Sequence, residues 1–209
     1  MRPETLERRR GKVLAAAARL FATEEYGRVH MDDVALAADI AKPTLYRYFS
    51  TKEALFMAAL EQTLQDLRAD AAAIRAERGP AEARLRKTVA LVHDQVGALA
   101  PALRAIEGEG SGPGETSRKA LRKGMRDIRD ELANLIREGV ELGEFEVADC
   151  ELAAIAIVGA IRMTAIVGNG TAGSARRLSD LLLGGLARRT TLSQPAPRLN
   201  GVLVLGDAS

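Results

Sequence analysis

The sixteen residues numbered 34–49 constrain the fold of this chain more than any other segment. They read V-A-L-A-A-D-I-A-K-P-T-L-Y-R-Y-F, which divides into two short helices and a tight connection. Pro43 is tolerated only in a first helical turn, where the amide needs no partner within the helix, so the second helix must begin near Lys42. Leu45 and Phe49 are four residues apart and share one face, which must pack inward. This arrangement predicts a helix-turn-helix.

The outward face of that second helix is predicted to be polar. A rotation of about 100° per residue turns Pro43 and Arg47 away from Leu45. Cationic and hydroxyl groups of this kind donate to phosphates and base edges in a DNA major groove. The predicted DNA-facing side chains are Lys42, Pro43, Thr44, Tyr46, Arg47 and Tyr48, with Lys52 at the start of the next helix. A purely structural helical hairpin is the alternative interpretation.

These residues resemble the N-terminal domain of the TetR family of transcriptional regulators. The matching stretches are L-A-A-A-A-R-L-F from Leu14, D-D-V-A-L-A-A from Asp32 and T-L-Y-R-Y-F-S-T-K-E-A-L from Thr44. The resemblance implies a homodimer with two recognition helices in successive major grooves. It also implies a helical C-terminal body that binds a small inducer, and repression as the usual mode of action.

Carried over by position, the resemblance implies phosphate contacts for Tyr46 and Lys52. It implies that Lys42, Pro43, Thr44 and Tyr48 meet bases or backbone. His30 lies at the start of the helix that precedes the turn, where the family often has threonine, and it joins the candidate DNA-binding residues.

Three departures from the family pattern concern local helix geometry. Asp39 replaces the usual turn glycine, and aspartate tolerates a left-handed backbone better than most residues. Ala41 replaces a serine or threonine cap, which costs about 1 kcal/mol of local stability, and His30 is also a poorer cap than threonine. These departures motivate an alternative function, a helical small-molecule-binding protein with weak or lost DNA binding.

The rest of the chain predicts an all-α fold, with a three-helix head on a larger helical bundle that dimerises. Alanine and leucine dominate the apolar content and aromatic residues make up only 3%, which favours helix over sheet. Apolar periodicity and breaker residues predict helices at about 5–23, 31–38, 42–49, 52–74, 81–99, 101–107, 115–142, 147–167 and 174–189.

Three parts of the chain are expected to differ in function. Residues 1–51 form the DNA-binding head, and residues 52–189 form a ligand-binding and dimerisation domain. Residues 190–209 lose helical periodicity and form a tail, either disordered or a short extended arm.

A ligand pocket in the body is implied by the resemblance, and its walls should come from apolar helix faces. Candidate lining residues are Leu60, Leu64, Leu67, Val92, His93, Val96, Ile128, Ile136 and Arg162. Each of the apolar residues also fits a plain core position, and His93 fits a satisfied core histidine. Arg162 interrupts an apolar helix and needs a carboxylate, a carbonyl or a bound anion, of which an ion pair is the simplest.

The last two helices, at 147–167 and 174–189, are the predicted dimer face. Small residues permit close approach in the first, and leucines supply apolar contact in the second. They are Ala153, Ala156, Gly159, Ala160, Leu178, Leu181, Leu182 and Leu186. Two copies would build a four-helix bundle across the interface.

Several functional classes are disfavoured by the composition. The single cysteine, Cys150, rules out an internal disulfide, and the charged N-terminus does not resemble a signal peptide. The apolar run 152–168 is shorter than a membrane span and contains Arg162. Residues 168–173 have dinucleotide-fingerprint spacing but follow a helix instead of a strand. We therefore expect a cytoplasmic protein that is not an enzyme, with no metal, no cofactor, no membrane contact and an unknown small-molecule effector.

Overall fold

The structure is a computed structural model that describes residues 3–107, 113–167 and 173–186. Every regular element in those ranges is an α-helix. In chain order the helices are α1 (Pro3–Thr23), α2 (Met31–Ala37), α3 (Lys42–Tyr48), α4 (Lys52–Ala76), α5 (Ala81–Ala98), α6 (Ala100–Glu107), α7 (Glu115–Glu141), α8 (Cys150–Val167) and α9 (Ser174–Leu186). The all-α prediction, with a helix-turn-helix head ahead of a larger helical body, is confirmed.

Helix ends agree with the sequence to within about three residues, and the differences have local causes. The cap of α4 is Thr51, whose hydroxyl accepts a hydrogen bond from the Ala54 amide at 3.0 Å. Helix α8 begins three residues later than predicted, because the Asp149 carboxylate accepts from the Leu152 amide at 2.9 Å. The predicted tail, the predicted end of the last helix at 187–189 and the glycine-rich segments 108–112 and 168–172 lie outside the described residues.

The head consists of α1, α2 and α3, and its core holds the two residues predicted to face inward. Leu45 is fully buried and Phe49 is 5% exposed. Asp39 adopts a left-handed backbone with φ of 54°, as the turn requires. Ile40, the apolar residue of the turn, is half-buried against this core. The helix-turn-helix therefore forms despite the missing glycine.

Aromatic packing joins the head to the body without a gap in the core. The Phe56 ring of α4 lies edge-on to Phe21 of α1, with centroids 4.9 Å apart. It also meets the Tyr26 ring at 5.1 Å. Helix α1 contacts both α4 and α6. The core therefore continues from the head into the body.

Helix α7 occupies the middle of the body, with α4 on one side and α8 on the other. Helix α5 packs against α4, α7, α8 and α9. Fully buried aliphatic side chains fill the space between these helices, among them Leu67, Leu85, Ile128, Leu132 and Ile136. In the described part of the chain, no helix combines the length and apolar character that crossing a membrane requires.

An ion-pair network fastens the C-terminal end of α4 to α5 and α7. Arg75 of α4 donates to Glu131 at 3.1 Å and to Glu138 at 2.8 Å, both on α7. The buried Arg84 of α5 donates to the other oxygen of Glu138 at 2.9 Å and to the Arg75 carbonyl at 2.6 Å. One carboxylate thus serves two guanidinium groups from two helices.

Candidate DNA-binding surface and body cavity

The outward face of α3 carries most of the side chains that the sequence places there, with Tyr48 as the exception. Pro43 and Arg47 are exposed, and Thr44 is half-buried. The Tyr46 side chain is 43% exposed. Because Leu45 is anchored in the core, these groups lie together on one exposed surface of the head.

Lys42 already has a partner in the head. Its ammonium lies 2.8 and 2.9 Å from the two carboxylate oxygens of Asp32 on α2. The hydrogen bond to Asp32, followed by the charge of that carboxylate, raises the pKa of Lys42. The cation predicted to meet DNA is therefore neutralised by a neighbour in this conformation.

Tyr48 differs from its predicted outward placement. Its ring packs against the head core and is half-buried. Its hydroxyl is buried and has no hydrogen-bond partner among the described residues. The flank of α3 on which Tyr48 lies turns toward the core of the head, and the hydroxyl is withdrawn from the surface.

Lys52 is also engaged within the head instead of extending outward. Its ammonium donates to the carbonyl of Tyr26 at 2.8 Å and lies 3.4 Å from that of Gly27. It sits 4.5 Å from the centroid of the Tyr26 ring. These contacts tie the first turn of α4 to the loop that follows α1.

The weak caps expected at two helix starts are present. His30 precedes α2 and is exposed, and the Asp33 carboxylate accepts from its backbone amide at 3.2 Å. This bond, together with Asp32 in the first turn, compensates for the poor cap. Ala41 makes no side-chain cap at the start of α3.

A second contact in the first turn of α4 reaches the body. The Glu53 carboxylate accepts from the backbone amide of Gly114 at 2.9 Å. Gly114 is the cap residue of α7, and a Cβ there would lie 2.7 Å from the same carboxylate oxygen. Lys52 and Glu53 therefore connect the start of α4 to the head and to α7 respectively.

The body contains a cavity of about 660 Å³ bounded by α5, α6, α7 and α8. Its volume falls in the range of ligand pockets. It is lined by Val96, Leu103, Ile106, Arg118, Leu121, Arg122, Met125, Arg126, Arg129, Ile155, Val158, Gly159 and Arg162. Two of these, Val96 and Arg162, are predicted pocket residues. Arg162 is exposed and lies at the cavity.

The other predicted pocket residues are not among those lining this cavity. Leu67, Val92 and Ile128 pack within the core, as do Leu60 and Ile136. Leu64 borders a smaller groove of about 310 Å³ between α4 and α7. His93 is buried, with its Nε2 3.1 Å from the Ser174 hydroxyl of α9, so its interpretation as a satisfied core histidine fits the structure.

Four arginines of α7 line the cavity, and the sequence reasoning missed them. Arg118, Arg122, Arg126 and Arg129 are spaced by four, four and three residues, which places them on one helix face. That spacing was the available signal. It is also typical of a solvated helix face, and only the packing of α8 against α7 makes it a cavity wall.

The predicted dimer face carries exposed apolar side chains in this single chain. Leu152, Ile155 and Met163 project from α8, and Leu181 of α9 is 75% exposed. Leu178 differs from the prediction, because it is buried in its own subunit. An exposed apolar surface of this kind is typical of an interface.

Comparison with known proteins places these features in one family. A family model described as "Bacterial regulatory proteins, tetR family" matches residues 13–59. A second, "Tetracyclin repressor-like, C-terminal domain", matches residues 78–166. The chain is 38% identical over 61 residues to the HTH-type transcriptional activator FasR of Mycolicibacterium smegmatis, covering 29% of this chain. That match spans only 28% of FasR's own length.

Solved structures extend the similarity over most of the chain. The TetR transcriptional regulator SCO0520 from Streptomyces coelicolor is 31% identical, with 85% of this chain and 98% of that one covered and a TM-score of 0.64. FadR from Bacillus subtilis, solved in complex with stearoyl-CoA, shares the fold at 21% identity, with 83% and 97% covered and a TM-score of 0.66. The helix-turn-helix and the helical body thus match together, and the chain belongs to the TetR family of bacterial transcriptional regulators.

Proposed function

We propose that this protein is a ligand-responsive, sequence-specific DNA-binding regulator, a repressor that a small molecule releases from a palindromic operator. The observation that carries the proposal is the orientation of α3, with Leu45 inside and Tyr46 and Arg47 outside. In this proposal residues 1–51 bind DNA, and residues 52–189 bind the effector and dimerise.

A homodimer is part of the proposal because one α3 reads only half of a palindrome. The exposed apolar side chains of α8 and α9 support an interface at that end of the body. A dimer binds when its two recognition helices are about 34–36 Å apart, one turn of DNA. An effector that prefers a different spacing shifts the population away from the operator.

The body cavity is the proposed effector site. Helix α7 forms one wall, and its cap residue Gly114 is hydrogen-bonded to Glu53 at the start of α4. A shift of α7 on filling of the cavity therefore has a direct route to the head. Bacillus subtilis FadR, which shares this fold, was solved in complex with stearoyl-CoA, and this supports a ligand-responsive role.

Selection of bound sequences from a pool of random DNA duplexes tests the proposal. Enrichment of a pseudo-palindrome is expected. Tyr46→Phe should weaken binding to all duplexes at least tenfold, because one hydrogen bond to a charged phosphate contributes about 1.5–3 kcal/mol. The measurement is fluorescence anisotropy with the selected duplex and with scrambled duplexes.

Tyr48→Phe is the matched control for Tyr46→Phe. The Tyr48 hydroxyl is buried and unpartnered among the described residues, so its removal should leave DNA affinity unchanged. If Tyr46→Phe were as neutral as Tyr48→Phe, the docking geometry proposed for α3 would be wrong.

A second candidate function is a ligand-binding protein whose head binds DNA weakly or not at all. The engagement of Lys42 by Asp32 and of Lys52 by two carbonyls favours it, because both cations are occupied within the head. Recovery of no enriched palindrome in the selection would support this candidate over the first.

Asp32→Asn is expected to strengthen DNA binding. The substitution removes a carboxylate from the DNA-facing side and releases Lys42 for a phosphate. One additional phosphate contact steepens the plot of log affinity against log salt by about 0.9. Affinity measured from 50 to 200 mM salt gives the slope.

Asp70→Asn is the control for this charge change. Asp70 is exposed on α4 in the body, so its substitution removes the same charge far from Lys42. An unchanged salt slope in Asp32→Asn would show that Lys42 gains no phosphate contact when it is released.

A further inference from the structure

We propose that the body cavity binds an amphiphilic anion, with a carboxylate or phosphate headgroup on its arginines and an apolar tail on its floor. This inference deepens the proposed function and relies on it for one point only, that the occupied cavity controls DNA binding. The cavity's wall and floor differ in chemistry, and together they define the class of ligand.

The wall is formed by the arginine row, which we define as Arg118, Arg122, Arg126 and Arg129 of α7. All four line the cavity, and Arg162 of α8 joins them. No carboxylate is among the described residues that line it. A guanidinium is a planar fork that binds carboxylate and phosphate oxygens in pairs, which favours this headgroup over a neutral one.

Part of the arginine row is already paired with carboxylates that do not line the cavity. Glu115 lies 2.6 Å from Arg122 and 4.0 Å from Arg118, so one carboxylate serves two cations. Arg129 lies 2.6 Å from Asp130. These pairs hold the guanidinium groups in place and leave their remaining N–H donors for a ligand.

Arg126 is the member of the row without such a partner. In the described part of the chain no carboxylate lies within 4.0 Å of it, and its side chain is exposed at the cavity. It sits four residues from Arg122 and three from Arg129, where like charges repel. A bound anion removes that repulsion and supplies Arg126 with its counter-charge.

The floor of the cavity is apolar and largely buried. Leu103, Ile106 and Leu121 form it together with Val96 of α5 and the half-buried Val158 of α8. An alkyl chain that binds here moves from water to an apolar surface. Each buried methylene should increase the binding affinity about fourfold. A headgroup alone would leave this surface unused, and an uncharged chain would leave Arg126 without an anion.

Calorimetric titration of the full-length protein tests the inference with four probes: dodecyl phosphate, dodecanoate, dodecanol and inorganic phosphate. The two charged amphiphiles are used below their micellar concentrations and dodecanol below its solubility limit. We expect dodecyl phosphate and dodecanoate to bind at least tenfold more tightly than dodecanol. Inorganic phosphate should bind at least a hundredfold more weakly than dodecyl phosphate. The ratio of the affinities for dodecyl phosphate and dodecanoate identifies which headgroup the cavity prefers. Equal affinity for dodecanol and both charged probes would overturn the inference.

Arg126→Gln should weaken the binding of dodecyl phosphate about tenfold and leave the binding of dodecanol unchanged. Arg104→Gln is the matched control, since Arg104 is exposed on α6 and does not line the cavity. Sedimentation velocity, which measures dimer formation, tests whether the arginine row instead contacts a partner subunit. If Arg126→Gln weakened dimer formation and left dodecyl phosphate binding intact, the arginine row would bind a partner subunit, and the inference would be wrong.

The two proposals fail in different ways. A protein that binds dodecyl phosphate through Arg126 but selects no palindrome contradicts only the DNA-binding function. A protein that selects a palindrome and ignores both charged probes contradicts only the inference about the cavity.

Discussion

Leu45→Ala is expected to lower the free energy of unfolding of the head by about 3 kcal/mol and to abolish measurable operator binding. Leu45 is fully buried where α3 meets the rest of the head. A leucine truncated in a core loses about 2–5 kcal/mol, through lost burial and the cavity that remains. Helix α3 has only seven residues and an alanine cap, so it has little local stability with which to compensate.

The tyrosines give a way to measure this effect in the head alone. The chain has three tyrosines and no tryptophan, and Tyr26, Tyr46 and Tyr48 all lie in the head. Tyrosine fluorescence during urea unfolding therefore reports on the head, and far-ultraviolet circular dichroism reports on all helices. In Leu45→Ala the fluorescence midpoint should move to lower urea.

Leu36→Ala is the matched control in the same head. Leu36 lies on α2 and is 84% exposed, so the same truncation should change stability by less than about 0.5 kcal/mol. Equal effects of the two substitutions would mean that α3 is not packed through Leu45.

Glu138→Gln is expected to lower the stability of the body by about 2–3 kcal/mol. The substitution leaves the buried Arg84 without its carboxylate and removes one of the two carboxylates on Arg75. Breaking a buried ion pair costs about 3–5 kcal/mol, and we expect less because the Glu138 side chain is 32% exposed. Circular dichroism during urea unfolding measures the change.

The stability that Glu138 provides should depend on pH in a defined direction. Burial raises the pKa of Glu138, but hydrogen bonds from Arg75 and Arg84 outweigh it, so the net pKa lies below the ordinary value. A carboxyl with a lowered folded pKa contributes its stability above the unfolded pKa of about 4.3 and loses it as pH falls through the folded value. The wild-type protein and Glu138→Gln should therefore differ at pH 7 and converge in acid.

Glu141→Gln is the control for this substitution. Glu141 is exposed on the same helix, and its neutralisation should leave both the urea midpoint and its pH dependence unchanged. A constant difference between wild type and Glu138→Gln down to low pH would show that the effect is steric and not electrostatic.

The head could be predicted from sequence because its determinants are local. Pro43 positions the start of α3, Asp39 accepts the left-handed turn, and the four-residue spacing of Leu45 and Phe49 sets the inward face. Helix bounds in the body followed from apolar periodicity and breaker residues. In each case the deciding residues lie within a few positions of one another.

The partners of charged side chains could not be predicted, because they come from distant parts of the chain. Lys42 was expected to face DNA, but Asp32, ten residues earlier, holds it. Arg84 meets Glu138 across 54 positions. The cavity depends on how α7 and α8 pack, so its arginines were visible as a spacing pattern and their location was not.

Helix α4 is long, so a small change in its tilt displaces its end by a large distance. Its 25 residues extend over about 37 Å. Arg75 links the C-terminal end of α4 to α7 and α5. Lys52 and Glu53 link its N-terminal end to the head and to α7. A tilt of α4 by about 5° about its C-terminal end moves its N-terminal end by about 3 Å. In the proposed dimer, the same tilt in both subunits would change the distance between the two α3 helices by up to twice this value, while the helical repeat of the DNA duplex stays fixed.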